Sequence, residues 1–159
     1  MTMDTLLLFY KIQTETVSAK DYISWAETEL IKGRESPSLF IITSLSEVDN
    51  IFEVEAYFKR ACKELEIDHH PSFESCARAY LHGLAERILN SQRASEGFTL
   101  ARHVFTIVVD LDDPDDLMAW HFISDQIDQL FYDLSNNDLS GEGIVRRIKE
   151  ECSIIVNQT

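Results

Sequence analysis

Val54, Tyr57, Phe58, Ala61, Cys62 and Leu65 lie three and four residues apart, the spacing that lines one face of an α-helix. A half-buried strand would instead alternate every second residue. The same period returns in Tyr22, Trp25, Ala26, Glu29 and Leu30, in Cys76, Ala79, Tyr80, Gly83, Leu84 and Ile88, in Leu117, Trp120, Ile123, Ile127, Leu130 and Leu134, and in Ile144, Ile148, Cys152 and Ile155. Five glycines and three prolines among 159 residues are less than half the roughly 12% that is usual, so the turn-rich punctuation of an all-β chain is missing. The pattern predicts an all-α fold, a compact single-domain bundle of about seven helices over residues 1–159.

The helix boundaries follow from short polar side chains and from proline. A first helix is expected from about Asp4 to Thr14, and a second opens at Ser18 or Ala19 and closes on Gly33 as a C-terminal cap. Ser36-Pro37 and Asp113-Pro114 each put a capping residue before a proline, whose missing N–H is harmless in a first helical turn. They start the third and the seventh helix. Asn50 caps the fourth, Ser72 after Pro71 opens the fifth, and a sixth covers Phe98 to Leu111. Ser135-Asn136-Asn137-Asp138 breaks the seventh, and a last helix begins at Gly141 or Glu142. No Gly/Ser-rich or Pro-rich linker separates these segments, which favours one domain.

Hydrophobic residues make up 45% of the chain, enough to build a core and to exclude intrinsic disorder. The apolar runs are far shorter than the roughly 20 residues that span a bilayer, and Met1–Tyr10 lacks the basic start and small-residue cleavage site of a signal peptide. Cys62, Cys76 and Cys152 are odd in number and contain no C-x-x-C, so a reducing, cytoplasmic setting is expected. Against 14 Lys and Arg stand 28 Asp and Glu, a net charge of -14, which repels a nucleic-acid backbone.

Among motifs, Phe105 to Asp113 is an apolar run ending in D-x-D. It resembles the first motif of haloacid-dehalogenase-type phosphatases, where a strand delivers a nucleophilic Asp and an acid/base Asp beside magnesium. A metal-dependent phosphohydrolase using Asp110 and Asp112 is therefore one alternative function. That family's downstream context, a Ser or Thr, a Lys and a further acidic pair, is poorly met here: only 46 residues follow Asp113, Lys149 is the sole lysine among them and no Thr occurs before Thr159. A calcium loop starting at Asp110 fails at its sixth and twelfth positions, Asp115 and His121. His121 and Asp125 stand four apart as a helix-face pair, His69-His70 belong to a solvated link, and the cysteines sit at or beside apolar positions as small buried hydrophobes. No nucleophile elbow, phosphate loop or zinc-protease motif occurs, so no enzyme, cofactor or metal is expected.

One stretch departs from the mixed charge of the rest. The 43 residues between Arg102 and Arg146 hold ten Asp or Glu and no Lys or Arg. Asp110, Asp112, Asp113, Asp115, Asp116, Asp125 and Asp128, continued by Asp133 and Asp138, form a one-signed face able to steer a basic protein partner. Tyr132 or Trp120 is the expected aromatic anchor if exposed.

Trp25-Ala26-Glu27, Gly33-Arg34-Glu35-Ser36, Ser38-Leu39, Asn50 and Phe52-Glu53-Val54 form a layout over residues 18–67 that resembles small acidic helical bacterial proteins without assigned activity. Some of those are similar to immunity proteins of toxin systems. The resemblance implies a non-enzymatic protein that binds a partner, with toxin immunity as its specific version. A structural subunit of a helical oligomer is the other alternative.

Overall fold

Thr2, Ser18, Ser36 and Asn50 each turn a side-chain oxygen back onto a backbone N–H of the first helical turn, and a helix starts behind each of them. The computed structural model describes residues 1–132 and 141–158. The chain divides into two compact units, Met1–Ala79 and Tyr80–Thr159. Among the described residues there are eight α-helices, one 3₁₀ turn and no strand. The all-α expectation holds: the eight helices match one to one the eight segments marked out by period and punctuation, one more than the expected figure of about seven.

The first unit contains α1 (Met3–Gln13), α2 (Ala19–Ile31), α3 (Pro37–Ser44), α4 (Ile51–Glu64) and the opening of α5 (Phe73–Asn90). Ser18 and Asp21 form a reciprocal capping box: the Asp21 N–H donates to Ser18 Oγ at 3.4 Å and the Ser18 N–H to Asp21 Oδ2 at 2.8 Å. Gly33, at φ 80°, donates to Leu30 O while the Arg34 N–H reaches Glu29 O at 3.0 Å, a Schellman ending. Glu15 and Glu66 end α1 and α4 in the same way at φ 57° and 54°, although a side chain there costs about 1 kcal/mol relative to glycine.

Aromatic rings centre this core. Phe58 of α4 meets Phe9 at 5.6 Å, Tyr22 at 5.1 Å and Trp25 at 4.9 Å between ring centroids, and the Trp25 indole N–H donates to Thr5 Oγ1 at 3.1 Å. Leu39 and Ile42 of α3 are fully buried, and α3 packs on α2 and α4. A carboxylate is also buried: Glu29 is paired with Arg34 at 2.8 Å and with Lys32 at 3.6 Å.

The second unit contains the rest of α5, α6 (Ala94–Asp110), a 3₁₀ turn (Asp115–Leu117), α7 (Ala119–Tyr132) and α8 (Gly141–Asn157). Helices α6, α7 and α8 pack pairwise around Val104, Ile107, Trp120, Ile123, Ile127, Ile148 and Cys152, all buried. Two boundaries differ from expectation. Helix α6 starts four residues before Phe98 because its N-cap is Arg93, which makes no side-chain cap bond and so carries no sequence signal. Asp113 does not cap α7. Asp112 and Asp113 turn left-handed, at φ 62° and 53°, and their N–H groups close α6 onto Val109 O and Val108 O. Pro114 is then extended, and α7 begins only at Ala119.

Candidate partner-binding face

The seven aspartates singled out from the sequence are all exposed. Asp110 is the last residue of α6, Asp112 and Asp113 form the left-handed link, Asp115 and Asp116 lie in the 3₁₀ turn, and Asp125 and Asp128 lie on α7. The first three sit at the negative end of the α6 dipole, whose last turn holds no basic residue. Helices usually place acids at the opposite end, so this corner concentrates negative potential rather than cancelling it. Although Asp113-Pro114 reads as a helix start, which would put Asp115 and Asp116 in the first turn of α7, that helix starts only at Ala119, so they do not complement its dipole there. Asp133 and Asp138 lie outside the described residues.

Tertiary contacts redistribute part of the charge. His121 Nε2 sits 2.7 Å from Asp113 Oδ1, not on Asp125 as the spacing of four suggested. The folded-back link brings Asp113 over the start of α7, where Phe105 also holds the imidazole edge-on at 5.0 Å. Arg102 of α6 donates through Nη2 to Asp128 Oδ1 at 2.9 Å. A segment free of Lys and Arg in sequence thus receives an arginine in space. Asp110, Asp112, Asp115 and Asp125 have no ion-pair partner among the described residues.

Trp120 is only 1% exposed and belongs to the core, so it is no anchor. Tyr132 is 77% exposed. Phe122, Asp125, Gln129 and Tyr132 follow at three-, four- and three-residue steps on α7, the stripe opposite buried Trp120, Ile123 and Ile127. Phe122 remains 49% exposed beneath the Arg147 guanidinium, which lies 4.3 Å from its ring. Phe131 is exposed and packs edge-on to Phe98 at 5.6 Å. Sequence reasoning passed over Phe122 and Phe131. For Phe122 the signal was available, because it is an apolar residue off the helical stripe that contains Trp120; Phe131 follows Ile127 by four residues and is in register with that stripe, so its exposure is decided by packing alone.

Phe105 to Asp110 is helical, so Asp110 and Asp112 are not presented at the end of a strand as in the phosphatase motif. Among the described residues no three His, Cys, Asp or Glu side chains gather as a metal-binding group. All three cysteines are free and buried, and burial pushes the Cys62 and Cys152 thiols up to about 12, far from an activated thiolate. No described helix is long and apolar enough to cross a membrane. Compared with family models, curated proteins and solved structures, the chain matches none.

Proposed function

We propose that this protein is a non-catalytic, cytoplasmic binding protein that engages a basic protein partner through the acidic corner of α6 and α7, with inhibition of a toxin as the specific form of that role. The observation that carries the reading is that exposed Asp110, Asp112, Asp113, Asp115 and Asp116 at the α6–α7 corner are continued along α7 by exposed Asp125 and Asp128, with the exposed ring of Phe122 near the start of that helix and Tyr132 at its far end. Carboxylates accelerate encounter with a cationic surface and reject anionic ones. Exposed aromatic rings supply the apolar area that slows dissociation. A protein that covers a cationic nucleic-acid-binding cleft has to carry this sign of charge, which supports the toxin-inhibitor form.

The two parts of the face have separable kinetic signatures. Immobilised protein, exposed to a lysate of its source and eluted with rising salt, is expected to retain a basic protein stoichiometrically. With that protein purified, Asp112→Asn, Asp115→Asn and Asp116→Asn together should lower the association rate and flatten its salt dependence, while Tyr132→Ala should mainly raise the dissociation rate. If the triple variant retains the partner with unchanged salt dependence, the acidic face is only solvated and the proposal fails. Inhibition of the captured protein's activity at one-to-one stoichiometry is the further outcome that the toxin-inhibitor form requires.

A further inference from the structure

A cleft of about 530 Å³ opens in the first unit between α1, α4 and the link that leads to α5, within the size range of small-molecule sites. Its floor is apolar: Phe9 and Phe58, whose rings meet edge to face, and half-exposed Ile12. Its rim is cationic and N–H-rich, with Lys59, Lys63, His69 and His70, in a chain whose net charge is -14. The far wall is held in place. Gln13 Nε2 donates to Pro71 O at 2.9 Å, and the His70 N–H donates to Asp68 Oδ1 at 3.0 Å, so the link carrying both imidazoles is tied to α1 and to itself.

The rim charges define the ligand further. Lys59 is committed to Glu55 at 2.8 Å, and that pair is neutral. Lys63, one turn along α4 on the same side, has no carboxylate partner among the described residues. The site therefore offers one uncompensated cation beside ring N–H donors, above an apolar floor. The neutral Lys59–Glu55 pair adds no second cation to the rim, so the site matches a single negative charge better than a phosphate dianion. We infer that this cleft binds a small monocarboxylate with an aliphatic or aryl body, the carboxylate at Lys63 and the histidines and the body on Phe9, Ile12 and Phe58. The cleft belongs to the first unit alone and uses none of the aspartates of the acidic face, so its fate is independent of the proposed partner.

The test is calorimetric titration of the full chain at low salt with octanoate, octanol and inorganic phosphate as probes, mapped by amide NMR shifts. Octanoate should bind one-to-one, more tightly than octanol, with shifts at Ile12, Lys63 and His70, and phosphate should not bind. Lys63→Met should weaken octanoate about tenfold, as expected for loss of one charge-assisted contact. Lys20→Met, a change at an exposed lysine elsewhere in the unit, should leave it unchanged. Ile12→Glu places a negative charge on the floor and should abolish binding while the far-ultraviolet dichroism stays helical. Equal affinity for octanol and octanoate, insensitivity to Lys63→Met, or no octanoate binding by the folded protein would each overturn the inference.

Discussion

Glu29 is fully buried, and its nearest cation, Arg34, lies just beyond the end of the same helix at 2.8 Å. Arg34 also donates through Nη2 to Leu65 O at 3.1 Å, so one guanidinium joins the end of α2 to the end of α4. Replacing Arg34 with Met leaves a carboxylate in the core with only Lys32 at 3.6 Å and the Thr2 hydroxyl at 3.4 Å. Breaking a buried pair costs about 3–5 kcal/mol, and the remaining lysine places this case near 3 kcal/mol. In urea, with a slope of about 1.5 kcal/mol per molar, the midpoint should fall by about 2 M. The two tryptophans are divided between the units, Trp25 in the first and Trp120 in the second. In a Trp120→Phe background, Trp25 fluorescence then reports the first unit alone, and its indole sits against Phe58 and Thr5. Arg34→Lys should recover only part of the loss, because an ammonium cannot serve the carboxylate and Leu65 O as a planar fork does. Glu29→Met combined with Arg34→Met should recover more than half of it, because no buried charge is then left unpaired. A loss below about 1 kcal/mol for Arg34→Met, no larger than for an exposed pair, would refute the argument that this pair organises the unit.

Two further outcomes follow from the helix ends. Burial works against ionisation of Asp21, but the Lys11 ammonium at 2.5 Å and the Ser18 N–H and hydroxyl outweigh it and hold the carboxyl below its ordinary value of 3.8. Its contribution is therefore fully present above 3.8 and disappears as the pH falls through the lower folded value; Asp21→Asn should cost about 1 kcal/mol at neutral pH, a difference that narrows in acid urea titrations. Glu66→Gly should raise the stability of the first unit by about 1 kcal/mol by relieving a side chain at φ 54°, whereas Glu66→Ala should give no such gain in the same Trp25 assay.

The expected starts of α2, α3 and α4 agree with the structure to within a residue because each is preceded by a side chain that can replace the missing acceptor: Ser18, Ser36 and Asn50. The start of α6 was missed because Arg93 caps nothing, and the start of α7 because Asp113-Pro114 reads as a helix opening while its backbone is closing α6. Of the candidate face, the exposure and sign of the seven aspartates were legible. Which aspartates are paired was not. Trp120 and Tyr132 were equal candidates as anchors until packing buried one and left the other exposed.

Sequence alone determines the helical period, the capped helix starts, the apolar stripes and the net charge of -14, since each depends on residues within about four positions of one another or on simple sums. Tertiary structure alone decides that Arg102 reaches Asp128, that His121 turns to Asp113, that Arg34 serves both Glu29 and Leu65, and that Lys59, Lys63 and two histidines meet over Phe9 and Phe58. Most of these meetings join different helices or a helix and a link, so they depend on how apolar stripes pack and how links turn, geometry that no local spacing carries.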